Sequence, residues 1–165
     1  LLVNALYFLD LIPPLPLALQ SWGVFHSISR SNNTSYTVTE EDQGLDIWGR
    51  FSADIGKPAI FHQKKGAYIY AFSAVFSPLS FDTEIRHVWQ RYDSTTRRWI
   101  TDSVIPLSVA GGREGGYRTY SILKDLEPGE WRVNITTTSG QLIGRLSVDI
   151  IDSDETPELT TRTVE

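Results

Sequence analysis

The sequence predicts an all-β fold, an immunoglobulin-like or fibronectin-like antiparallel β-sandwich of about seven strands. Three observations predict it. Segments with period-two alternation recur from Ala67 onward, clusters of turn-forming residues separate them, and no apolar repeat of helical spacing follows Leu19. A chain of 165 residues, 41% hydrophobic and 12% aromatic, is sized for one such core.

Residues 1–20 stand apart from this pattern. LLVNALYFLDLIPPLPLAL, Leu1 to Leu19, is the most apolar stretch, and Pro13 and Pro14 lie where they would end a helix. The stretch reads as the end of a transmembrane helix with a proline-rich exit, or else as a buried strand packed on the domain. In the first reading Trp22, Phe25 and Tyr36 sit at the membrane interface. The sparse basic residues that follow, Arg30 and then Arg50, lean the domain toward the outer side. Residues 21–66 read as N-terminal strands and loops packing on the sandwich, with strand-like runs at Tyr36 to Thr39, Ile47 to Phe51 and Ala59 to His62.

Residues 67–151 carry the sandwich core. AYIYAFSAVF puts Tyr68, Tyr70, Phe72 and Phe76 on one face and Ile69, Ala71 and Val75 on the other, so this strand needs cover on both sides. Glu84 to Tyr92 and Trp99 to Pro106 read as a hairpin about Asp93-Ser94-Thr95-Thr96. Tyr117 to Ile122 is the next strand. Glu127-Pro128-Gly129-Glu130 has proline and glycine where a type II turn wants them. Beyond it Trp131, Val133 and Ile135 share a buried face with Arg132, Asn134 and Thr136 on the other, and Leu142, Leu146, Val148 and Ile150 supply the apolar face of a partner strand whose other face carries Gln141, Arg145 and Asp149. The polar tail, residues 152–165, is expected to be flexible.

Composition narrows the function classes. No Cys and no Met occur, which excludes disulfides and thiolate metal sites, and the missing Met reads as a piece cut from a longer protein. A net charge of -5 argues against a nucleic-acid partner, whose phosphates need clustered cations. His26, His62 and His87 lack the short spacing of a zinc site on one element, and Ser121 lacks a nucleophile elbow. No metal and no cofactor is expected.

The stretch with most functional content is the loop Gly111-Gly112-Arg113-Glu114-Gly115-Gly116, followed by Tyr117 and Arg118. Two guanidinium forks beside exposed loop amides suit a carboxylate or phosphate. The candidate ligand-binding residues are therefore Arg113, Tyr117 and Arg118, with His87 and Trp89 as nearby ring-bearing groups. An equally physical reading pairs Arg118 with Glu114, Asp125 or Glu130, leaves the glycines as a tight connection, and keeps His87 as a packed or hydrogen-bonded histidine at the sheet surface.

The order Pro13, Pro14, Pro16, Leu17, then His26, the strand through Ile69 and Phe72, His87-x-Trp89, Gly111 to Arg118, Ser121 and Pro128 to Val133 resembles bacterial domain-of-unknown-function family 2914. The resemblance spans most of the chain and is most specific from His87 to Val148. It implies a C-terminal β domain following transmembrane helices in a bacterial envelope protein, and it implies no reaction; with the sparse basic flank, the expected location is the inner membrane with the domain in the periplasm. The expectation is a non-catalytic binding or interaction module of that membrane protein, recognising an anionic or glycan envelope component or a partner protein. The alternatives are a purely structural or assembly domain and, third, a glycosidase-like or other envelope enzyme built on carboxylates such as Asp46, Asp54, Asp82 and Glu84.

Overall fold

The computed structural model describes residues 17–31, 35–42, 58–76, 83–109, 117–155 and 157–164. Among these residues there are strands and no helix, so none is long and apolar enough to cross a membrane. Three sheets account for the strands. The first is β1 (Ala18–Phe25), β5 (Tyr68–Phe76) and β8 (Tyr117–Lys124), with β5 central. The second runs β4 (Ala59–Gln63), β10 (Leu142–Asp152), β9 (Gly129–Thr137), β6 (Thr83–Asp93), β7 (Arg98–Val109). The third is β11 (Leu159–Val164), β3 (Tyr36–Glu41) and β2 (Ser27–Arg30). Every pairing is antiparallel except β4 with β10.

The two apolar faces of β5 dictate the layering. Ile69, Ala71 and Val75 face the second sheet and join Trp89, Trp131, Val133, Ile135 and Val148 in the main core. Phe72 and Ala74 face the other way, where Phe25, Val38 and Tyr36 close a smaller core beneath the third sheet. Phe72 meets both Phe25 and Tyr36 edge to face, at 6.3 and 5.7 Å. The strand that the sequence requires to be covered on both sides is the middle strand of the middle layer.

Chain order completes an immunoglobulin-like Greek key. β5 crosses to β6, the β6–β7 hairpin stays in the second sheet, β8 returns beside β5, and β9–β10 closes as a second hairpin. Trp131 is 2% exposed and meets Trp89 edge to face, while its indole N–H donates to the Glu127 carbonyl at 2.7 Å. Gly129 has φ of 133°, a region that L side chains avoid, so the Pro-Gly turn lets β9 start at once.

Four expectations need correction. Residues 1–16 lie outside the described residues, but Ala18 onward is strand, not the exit of a helix, because its backbone pairs with β5 from Phe76 back to Tyr70. Leu17 and Leu19 accordingly pack on the main core. Phe25 and Tyr36 are core residues, not interfacial ones. Leu142 is exposed because the register shifts between Leu142 and Gly144, which turns it off the apolar face. Finally, part of the expected flexible tail is a strand: β11 pairs with β3 over Leu159↔Glu41 to Val164↔Tyr36. The expected run Ile47 to Phe51 lies outside the described residues.

Candidate functional site

Alternation along β6 and β8 decides the fate of the sequence candidates. On β6, Ile85, His87 and Trp89 point inward, and His87 and Trp89 are both 0% exposed. Tyr117 is buried in the same core. Arg118, the next residue on β8, pairs with Ala74, whose side chain belongs to the smaller core, so it points to the opposite face. Arg113 and the rest of the glycine loop lie outside the described residues. Tyr117, Arg118, His87 and Trp89 therefore do not form one accessible site, and His87 is inside the sandwich rather than at its surface.

What His87 does instead can be read from donors and acceptors. Trp89 Nε1 donates to Ser121 Oγ at 3.0 Å, and an indole N–H cannot accept. Ser121 Oγ also meets His87 Nδ1 at 2.9 Å and Ser73 Oγ meets His87 Nε2 at 2.8 Å, so both ring nitrogens are hydrogen-bonded to hydroxyls, which can donate or accept. Ser73 Oγ also lies 3.2 Å from Thr119 Oγ1. Burial pushes the pKa of His87 down to about 4, so the ring is neutral near pH 7. This is a polar bolt between the sheets with no access for a substrate.

A second cluster joins two histidines that are remote in sequence. Glu41, at the end of β3 and 7% exposed, accepts from His26 Nε2 at 2.9 Å, from His62 Nδ1 at 2.7 Å and from the His62 backbone N–H. The His26 ring stacks on Phe61 at 4.1 Å. Burial pushes the Glu41 carboxyl up, but the bonds from His62 and His26 together outweigh it and hold it below the usual carboxylate range. Both carboxylate oxygens are spent inside the cluster, and among the described residues no group of three His, Asp or Glu side chains is arranged to hold a metal ion.

The open, chemically rich surface is the outer face of the second sheet. Polar and aromatic residues of β6, β7, β9 and β10 alternate outward there, opposite the buried Trp89, Val133 and Leu146. Arg132 lies over the Trp99 ring, its guanidinium carbon 4.3 Å from the centroid, and Tyr92 flanks Trp99 at 5.2 Å. Gln90 Oε1 accepts from Arg132 Nε at 2.8 Å and from Asn134 Nδ2 at 2.9 Å, and Asn134 Oδ1 accepts from Arg145 Nε at 2.7 Å. Partial burial and then the charge of Arg145 push the pKa of Arg132 down. Among the described residues neither arginine has a carboxylate within ion-pair distance, whereas Arg86, Arg91 and Arg162 are paired with Glu84, Glu127 and Glu40. Sequence reasoning placed Arg132 and Arg145 on polar strand faces. It did not bring them together, because their meeting depends on the β9–β10 register, which sequence leaves open within a residue or two.

The geometry defines the class: an immunoglobulin-like β-sandwich with an added third sheet and an arginine pair on its open face. Residues 82–150, from the start of β6 to the end of the β10 apolar run, match the family described as "Protein of unknown function (DUF2914)", and over that stretch the chain resembles this family. The match is narrower than the resemblance inferred from motifs, and the first 81 residues lie outside it. No curated protein matches the chain. Among solved structures, an immunoglobulin-like protein from Pseudomonas aeruginosa aligns at 9% identity and a TM-score of 0.42, over 85% of this chain and 100% of that one. A β-glucosidase from Listeria innocua aligns at 13% identity and a TM-score of 0.34, over 58% of this chain and 15% of that one. A Pseudomonas fluorescens alkylpurine DNA glycosylase aligns at 16% and 0.35, over 57% and 28%. Likenesses this distant carry no argument about function.

Proposed function

We propose that the chain is a non-catalytic binding module of a bacterial envelope protein, and that the outer face of the second sheet is its binding surface. One observation carries the reading. Two adjacent arginines are fixed in place by the amides of Gln90 and Asn134 yet have no acid partner among the described residues. Holding like charges side by side costs stability, so a role in contacting something negative accounts for their arrangement. The family resemblance supports the envelope context, and His87 and Ser121 are enclosed; Asp46, Asp54 and Asp82 lie outside the described residues. Retention on isolated envelope fractions tests this. The wild-type domain should be retained at low salt, and the doubly reversed R132E/R145E chain should pass through while remaining folded. Equal retention of a folded double variant would remove this face as the binding surface.

A further inference from the structure

We infer that the group bound at this face is the carboxylate of an acidic glycan strand, seated between Arg132 and Arg145, an inference that rests on the reading of the face as a binding surface. Each guanidinium is held through Nε, by Gln90 Oε1 or Asn134 Oδ1, which leaves the edge formed by its two terminal nitrogens turned away from that amide. Such an edge matches the two oxygens of a carboxylate. The register sets the span: Arg145 pairs with Asn134 and Ser147 with Arg132, so the two arginines are diagonal neighbours across β9 and β10. That relation separates side-chain origins by about 7–8 Å, within which two long side chains converge on one anion.

Three features select the ligand class. The Trp99 face is already occupied by the Arg132 guanidinium at 4.3 Å, so a neutral sugar finds no open ring there on which to stack. Recognition is then by charge: the Gln90 and Asn134 amides are spent holding the arginines, and the Thr101 and Thr136 hydroxyls flank the pair on the same face. Glu130 and Asp149, paired with each other one step further along the same face, repel a second negative charge placed close to the first. This disfavours a polyphosphate, whose charges sit on consecutive phosphates, and favours a uronic-acid strand, in which a sugar ring separates one carboxylate from the next. The net charge of -5 likewise opposes approach to a continuous anionic membrane surface, while a discrete acid group is attracted only within about 8–10 Å of the pair.

The test is titration at low salt with oligogalacturonate, with maltohexaose as the neutral control and poly-glutamate as the acidic peptide, read by calorimetry and by tryptophan fluorescence. Oligogalacturonate should bind the wild type, and R145Q should weaken it about tenfold, the loss expected for one charge-assisted contact. R132Q should do the same and also alter the emission of Trp99, with melting curves run on both variants to certify folding. R145K, which keeps the charge and loses the planar edge, should fall between. Binding of maltohexaose equal to oligogalacturonate, indifference to R145Q, or a preference for poly-glutamate would each overturn the inference. Envelope retention that is lost in R132E/R145E while oligogalacturonate fails to bind would leave the binding module standing and remove the glycan carboxylate alone.

Discussion

His87 sets how this molecule answers acid. Its folded pKa of about 4 lies below the ordinary value of 6.5, so the unfolded chain takes up the extra proton first as pH falls. The stabilisation is complete above about pH 6.5 and drains away toward pH 4, to a total of about 3 kcal/mol. Denaturant midpoints measured between pH 7 and 4.5 should fall in the wild type and fall less steeply in His87→Gln, and equal slopes would assign the acid sensitivity elsewhere. Ser121→Ala should destabilise by about 2–4 kcal/mol, since it leaves both the Trp89 N–H and His87 Nδ1 without their buried partner. Trp131→Ala should cost about 3–5 kcal/mol in a thermal or urea melt. The inward direction of Trp131 was legible from its alternation with Arg132, Asn134 and Thr136. That of His87 was not, because a histidine and a tryptophan on one strand face read equally well as a surface pair until Ser73 and Ser121 arrive from another sheet.

The strands with strong alternation were legible as elements: β5, the β6–β7 hairpin and the β9–β10 hairpin all fall where the pattern puts them. Those whose strand character depends on partners were not. β1 hides at the end of an apolar, proline-rich stretch, and β11, LTTRTV, has little apolar content and is held by pairing with β3. The third sheet is joined to the sandwich by Glu41, which ties β3 to His62 on β4. Glu41→Ala should therefore cost about 2–4 kcal/mol, the penalty of leaving several charge-assisted donors without an acceptor. Because the Glu41 pKa is lowered on folding, that contribution is present above the ordinary carboxylate range and is lost as pH falls through the lowered value. Hydrogen exchange resolved by segment should show β3 and β11 opening first in the Glu41→Ala chain, ahead of β9.

Across the whole molecule, the close approach of layers leaves little freedom in size. A side chain at Gly144 would meet Leu19 of β1, so the edge of the first sheet closes onto β10 only because that position is bare. Gly144→Val should lower the melting temperature measurably while sparing the Arg132 platform, which faces the other way. The layering has a kinetic consequence as well. The hairpins of the second sheet join neighbours in sequence, whereas Arg162 reaches Glu40 and Thr161 reaches Thr39 across 122 positions. Closing so long a loop gains nothing until the strand that receives it exists, so local hairpins are expected to form early and the β3–β11 pairing last. On that ordering the smaller core, whose buried side chains come from β1, β3 and β5, gains only the edge cover of Val164 when the final strand is laid down.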